Sequence, residues 1–192
     1  MRVIGGEFRS RRLKTIPGIA TRPTPDRLRE TLFDILAPRI RDVLFLDAYA
    51  GTGAVGIEAL SRGARQAIFI EKNHAPLDAL RVNLKSLGLE ERAQVFCGKA
   101  RVVLARLTAD IVFLDPPYDA PEEYAAVLGL LGNVPPPPLI VAQHSVRQPL
   151  EERYGALRRV RTVRQSDNAL SFYQKTGDRK QETGGSRQKG SP

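Results

Sequence analysis

Asp47-Ala48-Tyr49-Ala50-Gly51-Thr52-Gly53-Ala54-Val55-Gly56 follows the apolar run Val43 to Asp47 and opens the helical pattern Val55 to Arg62. This strand, glycine turn and helix decide the fold, because glycines let a backbone turn sharply and approach a ligand closely. Glu71 ends the next apolar run, Ala67 to Glu71, twenty positions after Gly51. A carboxylate there can accept hydrogen bonds from a ribose diol, so the stretch describes a nucleoside site.

Outward from this unit, Ala93 to Cys97 and Ile111 to Asp115 also read as buried strands, separated by the amphipathic stretches Pro76 to Leu87 and Ala100 to Leu107. The rhythm predicts an α/β fold with a doubly wound, mostly parallel sheet whose ligands gather at the carboxyl ends of its strands. The ends depart from it. Arg2 to Ile4 and Arg12 to Lys14 suggest a small hairpin, and Asp26 to Leu36 a helix after the turn Arg22-Pro23-Thr24-Pro25. Beyond a helix over Glu122 to Leu131, the prolines Pro135 to Pro138 lead stiffly into a strand over Leu139 to Ala142. Leu157 to Val163 and Leu170 to Gln174 then read as antiparallel edge strands across the turn Ser166-Asp167-Asn168. The organisation expected is a basic extension over 1–41, a core over 42–175 and a disordered, Gly- and Ser-rich tail over 176–192.

Charge is divided unevenly along the 192 residues. Residues 1–41 carry 10 Lys/Arg against 4 Asp/Glu, residues 42–146 carry 9 against 12, and residues 147–175 carry 7 against 3. Basic flanks on a mildly acidic core suggest a polyanionic partner, since Lys and Arg contacts to phosphates release condensed counterions. Arg9, Arg11, Arg12 and Lys14 are the first candidates. Cys97 is the only cysteine, which excludes an intramolecular disulfide and a Cys-rich zinc site, and it reads as a small core hydrophobe. No run approaches a membrane span or a signal-peptide core, so a soluble, cytoplasmic protein is expected.

A second motif, Asp115-Pro116-Pro117-Tyr118, directly follows the fourth apolar strand. Two prolines stiffen the backbone, letting the Asp115 carboxylate and the Pro116 carbonyl face one small pocket with the Tyr118 ring as a wall. Two acceptors suit an exocyclic base amine: bonding its hydrogens favours a pyramidal, more nucleophilic nitrogen whose lone pair can face a methyl group. Asp115 or a water molecule can take the released proton. This weighs against the competing reading, in which Gly51-x-Gly53-x-x-Gly56 binds a nicotinamide dinucleotide. Asp47 weighs the same way, since a strand-end carboxylate disfavours a pyrophosphate yet suits the cationic amino-acid moiety of S-adenosylmethionine.

The glycine loop, Glu71 and Asp-Pro-Pro-Tyr together resemble the amino-methyltransferases of DNA and RNA. More narrowly, Arg2-Val3-Ile4-Gly5-Gly6, Arg11-Arg12-Leu13 and Arg22-Pro23-Thr24-x-Asp26-x-x-Arg29-Glu30-Thr31-Leu32-Phe33 resemble the RsmD family of bacterial 16S rRNA guanine-N2 methyltransferases. The resemblance covers residues 1 to about 175. It implies a class I methyltransferase fold (Rossmann-like) with S-adenosylmethionine as cofactor and no metal. It implies cofactor contacts from Asp47, Tyr49, Gly51, Thr52, Gly53, Glu71, Lys72, Ala100 and Asp115, and an amine pocket of Asp115, Pro116, Pro117 and Tyr118. Arg9, Arg11, Arg12, Lys14, Arg22 and Thr24 would grip RNA, and Arg29 and Glu30 either share this role or pair on a helix surface. The implied partner is 16S rRNA in a small-subunit assembly intermediate, met by a monomer away from any membrane.

Two departures stand out. Many class I methyltransferases place Asp or Asn before Ala after the third strand, where this chain has Gly98-Lys99-Ala100, and Lys99 has no acceptor side chain. Ala48-Tyr49 stands where the family more often has a larger apolar residue followed by Phe. His74 reads as a surface or cap residue and His144 as a cleft-lining one. The alternatives left open are a DNA adenine-N6 or cytosine-N4 methyltransferase, and a non-catalytic RNA-binding protein on the same fold.

Overall fold

A computed structural model of the chain describes residues 1–16, 26–117, 120–135 and 137–176. Helix α1 (Asp26–Leu36) precedes strand β1 (Leu44–Asp47), helix α2 (Ala54–Ser61), strand β2 (Gln66–Glu71), helix α3 (His74–Leu87) and, after a 3-10 turn at Glu90–Arg92, strand β3 (Ala93–Cys97). Helix α4 (Ala100–Leu104), strand β4 (Ile111–Leu114), helix α5 (Glu122–Asn133) and strand β5 (Leu139–Ser145) continue the alternation, followed by strands β6 (Arg153–Tyr154), β7 (Leu157–Gln165) and β8 (Asn168–Lys175). Among the described residues these eight strands join one sheet in the order β3-β2-β1-β4-β5-β8-β7-β6. β1 to β5 run parallel, and the pairings of β5 with β8, β8 with β7 and β7 with β6 are antiparallel. The chain winds outward from β1 to β3 and then back to β4 on the other side of β1, which opens a crevice above the β1 and β4 ends.

Alternation within the strands sends side chains to two helical layers. Phe45, Phe69, Ile111, Phe113, Val141 and Phe172 face α1, α2 and α3, packing on Leu28, Leu32, Phe33, Leu36, Ile57 and Leu80. Leu46, Ile68, Val112, Leu114, Ile140 and Tyr173 face α4 and α5 on the other side.

The N-terminal segment is bound into the first of these layers. Val3 and Leu13 are buried among Ile57, Leu60, Leu80 and Leu84, and a single antiparallel bridge, Arg2 to Arg12, marks the expected hairpin. Its anchor is Glu58 of α2, whose fully buried carboxylate accepts the Ile4 and Gly5 amides at 2.8 Å each and pairs with Arg62 Nε at 2.8 Å. Gly6 adopts φ +76, and a Cβ there would collide with the Ser61 carbonyl, so the arm can lie this close to α2 only with glycine. Arg29 corrects the expected surface pairing. It is wholly buried, donates to the Arg2 carbonyl at 2.6 Å and pairs with Asp26 at 3.0 Å, while Glu30 is exposed. At 3.8 Å, Arg29 Nε and Glu58 attract as charges without forming a hydrogen bond.

Other expectations also change. Ala93 to Cys97 is the sheet's outer strand and is half-buried or exposed, so Cys97 is an exposed residue, not a core hydrophobe. Helix α4 stops at Leu104, three residues early, and β5 runs three residues beyond Ala142. The turn between β7 and β8 is Ser166-Asp167, with Asn168 already paired to Gln165. Strand β6 is an addition to the predicted elements; it covers only Leu157 and Arg158 of β7, leaving Val160 and the arginines at 161 and 164 exposed along the sheet edge. His144 does not line a cleft: it is buried, its Nδ1 lies 2.9 Å from the Ser145 and Gln148 carbonyls, and its Nε2 lies 2.9 Å from Ser171 Oγ. The turn at 22–25 and residues 177–192 of the expected tail lie outside the described residues. Among the described residues no helix is long and apolar enough to cross a membrane.

Glu58→Ala strips the acceptor from two backbone amides and leaves two guanidiniums without their shared carboxylate. The unfolding free energy in urea should fall by about 3 to 5 kcal/mol, the usual cost of breaking a buried ion pair from one side.

Candidate active site

The loop after β1 is built by hydrogen bonds that hold its amides in place. The Ala48 amide donates to the Phe113 carbonyl, Ala50 to Ile70, and Gly53 back to Ala50. Gly51 and Gly53 have φ +53 and +90, in the left-handed region that favours glycine. A Cβ on Gly53 would strike Leu80, whereas one on Gly51 would meet nothing within 4 Å, so open space lies against the loop at that point.

Glu71 fastens this loop to the next strand. One carboxylate oxygen accepts the Gly51 amide at 2.9 Å and the other the Asn73 amide at 2.8 Å. Each oxygen keeps a second acceptor site, so two remain for a ligand's hydroxyls. Asp47, 2% exposed, accepts the Gly56 amide at 3.1 Å. Burial pushes its carboxyl up to about 7, with Glu71 adding repulsion and the Gly56 and Tyr49 amides opposing the shift. A cation placed beside Asp47 would return it to the charged form.

β1 and β4 are neighbours, with Asp47 opposite Phe113, so Asp115 stands two residues further along the adjoining strand. Asp115 is half-buried, Pro116 buried and Pro117 exposed, and Tyr118 lies outside the described residues. Thus Asp47, Gly51, Gly53, Glu71 and Asp115 gather at the carboxyl ends of three adjacent strands. Ala100, buried, opens α4 at the same end after Lys99, while Lys72 is exposed beyond β2. Tyr49 reaches across the crevice: its hydroxyl donates to Glu123 of α5 at 2.9 Å, and Glu123 pairs with Arg101 of α4 at 3.1 Å. Burial first, and then Glu123, push the Tyr49 hydroxyl well above the ordinary tyrosine range.

Arg9, Arg11, Arg12 and Lys14 are all exposed on the arm, and Arg22 and Thr24 lie outside the described residues. Reading the sequence missed Asn83. This buried α3 side chain accepts the Lys14 amide at 2.6 Å and donates to the carbonyls of Lys14 and Thr52, joining the arm to the glycine loop. A polar residue between Leu80 and Leu84, on the apolar stripe of a helix, is the signal that could have found it. Among the described residues, no three His, Cys, Asp or Glu side chains cluster as metal ligands.

Residues 1–174 match the model of the conserved hypothetical protein 95 family. The Bacillus subtilis protein YlbH is 35% identical over 185 residues, spanning 92% of this chain and 100% of that protein. Ribosomal RNA small subunit methyltransferase D of Escherichia coli K12 is 45% identical over 120 residues, 62% of this chain and 60% of its own length. The chain belongs to the RsmD family. The solved structure of yhhF from Escherichia coli superimposes with a TM-score of 0.80 at 34% identity, covering 91% of this chain and 97% of that one. An RNA methyltransferase of Salinibacter ruber, solved with S-adenosyl-L-homocysteine, shares the fold at 15% identity and a TM-score of 0.62, covering 83% and 97%. The fold of this RsmD-family chain is therefore that of the class I S-adenosylmethionine-dependent methyltransferases.

The Asp47 carboxyl makes a prediction about pH. Its pKa in the folded protein, about 7, exceeds the ordinary 3.8, so the folded state holds a proton that the unfolded chain releases. The stability this contributes is fully present below pH 3.8 and is lost as pH rises through 7. The unfolding free energy of the ligand-free protein minus that of Asp47→Asn, measured by urea titration from pH 4 to 8, should fall steadily as pH rises, because only the wild type loses this contribution.

Proposed function

We propose that this RsmD-family chain transfers a methyl group from S-adenosylmethionine to the N2 amine of a guanine in small-subunit ribosomal RNA. The observation that carries the reading is the placement of Asp115-Pro116-Pro117 at the end of β4, directly beside the glycine loop of β1. The cofactor, when bound, supplies an electrophilic methyl group on a sulfonium. Asp47 faces its cationic amino group, Glu71 accepts from its ribose hydroxyls, and the backbone at Ala100 meets its adenine. Tyr49, Gly51, Thr52, Gly53 and Lys72 complete the lining, with Gly51 leaving the room that close approach demands.

The amine is held by two acceptors, the Asp115 carboxylate and the Pro116 carbonyl. Bonding both hydrogens turns the nitrogen lone pair out of conjugation and toward the methyl group, and Asp115 or water removes the proton afterwards. Tyr118 stacks on the base, an interaction worth roughly 1 to 3 kcal/mol in single-strand binders. A pocket of this kind requires the guanine to leave its stack. Arg9, Arg11, Arg12, Lys14, Arg22 and Thr24 contact the RNA, which is presented within an assembling small subunit to a monomeric enzyme.

Radiolabelled methyl transfer to small-subunit particles lacking the modification, followed by nucleoside analysis, should yield N2-methylguanosine. Label in adenine or cytosine would instead place the chain with the DNA-type amino-methyltransferases, and tight RNA binding without label would favour a non-catalytic role. Asp115→Ala should abolish transfer while leaving RNA affinity within about twofold, because it removes an acceptor at the reacting amine and leaves the phosphate-binding arginines untouched. Charge reversal at Arg11 and Arg12 should weaken RNA binding and lower the slope of log K against log salt by about 2, roughly one for each phosphate no longer neutralised.

A further inference from the structure

Gln143 of β5 is 1% exposed, and its Oε1 has no hydrogen-bond partner among the described residues. Its backbone is tied down, since the Tyr124 hydroxyl donates to the Gln143 carbonyl at 2.7 Å. A buried amide oxygen without a partner costs free energy that an apolar residue of the same shape would not. On its own face of the sheet Val141 precedes it and Leu170 lies opposite on β8, both apolar and buried, so packing on that face does not call for glutamine there.

The strand register shows where this acceptor stands. β4 and β5 are parallel neighbours with Leu114 opposite Ala142, so the next step sets Asp115 beside Gln143. Phe113 and Val141 share the face covered by α1, and alternation returns positions 115 and 143 to that face. Adjacent strands lie about 4.8 Å apart. The residue carrying the unpartnered acceptor therefore stands one backbone strand spacing from the residue that begins the Asp-Pro-Pro motif, on the same face.

We propose that Gln143 selects the target base, its Oε1 accepting the N1–H of a guanine whose 2-amino group is held at Asp115 and Pro116. This rests on the amine methylation proposed above and goes further, because Asp-Pro-Pro can hold any amino base. The three amino bases differ at the atom beside the amine. Guanine carries a donor there, N1–H, whereas adenine N1 and cytosine N3 each present a lone pair. The guanine amine and N1–H lie side by side on one edge, and their acceptors must also stand side by side, as neighbouring strands place them. An acceptor at 143 completes a bond with guanine and opposes a lone pair in the other two. Sites built to bond a substrate N–H commonly reject analogues lacking it by about 10⁴-fold or more.

The test separates acceptor from donor. Gln143→Glu keeps an oxygen at this point and removes the amide donor; Gln143→Met keeps the length and removes both. Each full-length variant is compared with wild type in single-turnover methyl transfer to small-subunit particles lacking the modification, with S-adenosylmethionine affinity measured by calorimetry and Tm by calorimetric scan. The Glu variant should retain transfer to guanine within about tenfold. The Met variant should lose about a hundredfold or more in rate, bind S-adenosylmethionine as wild type does, and melt no lower. A Met variant that methylates as fast as wild type would overturn the assignment. So would a lowered Tm, which would mean that the amide already has a partner within the protein, or a Glu variant that binds cofactor but is as slow as Met. If the wild type itself labels adenine, cytosine or nothing, the underlying guanine reading fails before any variant is compared.

Discussion

The carboxylate of Glu58 is the ionic anchor by which the N-terminal arm is tied to the methyltransferase core. Fully buried in α2, it is satisfied by the Ile4 and Gly5 amides, by Arg62 and, through charge alone, by Arg29. Arg29 in turn donates to the Arg2 carbonyl, so one ionic cluster joins the start of the chain, α1 and α2. A buried charge is tolerable only with such a set of partners, which makes the arrangement intolerant of substitution from any side. With the arm fixed there, Val3 and Leu13 fill the layer between α2 and α3, and the exposed arginines of the arm stand on a rigid base.

The chemistry at the other end of α2 uses the same economy. Asp47 and Glu71 are acids whose first task is structural: they accept amides from Gly56, Gly51 and Asn73 and so fix the loop between β1 and α2. Because those bonds are made before any ligand arrives, the loop need not be ordered at the moment of binding, and the remaining lone pairs are already aimed. Asn83 extends the same rigid frame to the arm through Lys14.

Much of this was legible in the sequence where local pattern and function coincide. The glycine loop, the carboxylate twenty residues on and the Asp-Pro-Pro turn each follow an apolar strand, and helix α1 has the bounds its Leu28, Leu32, Phe33 and Leu36 spacing predicts. What failed was whatever depends on strand order or on a polar residue placed inside. Cys97 sits on an apolar strand, yet the sheet puts that strand at its rim, and no local pattern reports a rim. Arg29 lies four residues before Phe33 on the helix's apolar stripe, as Glu58 and Asn83 do among their own apolar neighbours. Periodicity treats such residues as interruptions, whereas each is buried because distant backbone groups need it.

The opposite rim raises a different matter. Among the described residues β7 carries no further strand from Val160 onward, and the backbone of such an edge is a template on which another polypeptide can lie. Arg158, Arg161 and Arg164 are exposed along it, and Arg161 is held over the Phe172 ring. A second copy adding its own β7 here would bring like charges to within one strand spacing, about 4.8 Å, along the whole edge. The edge thus carries its own guard: the charges that line it oppose the pairing that its backbone would otherwise invite.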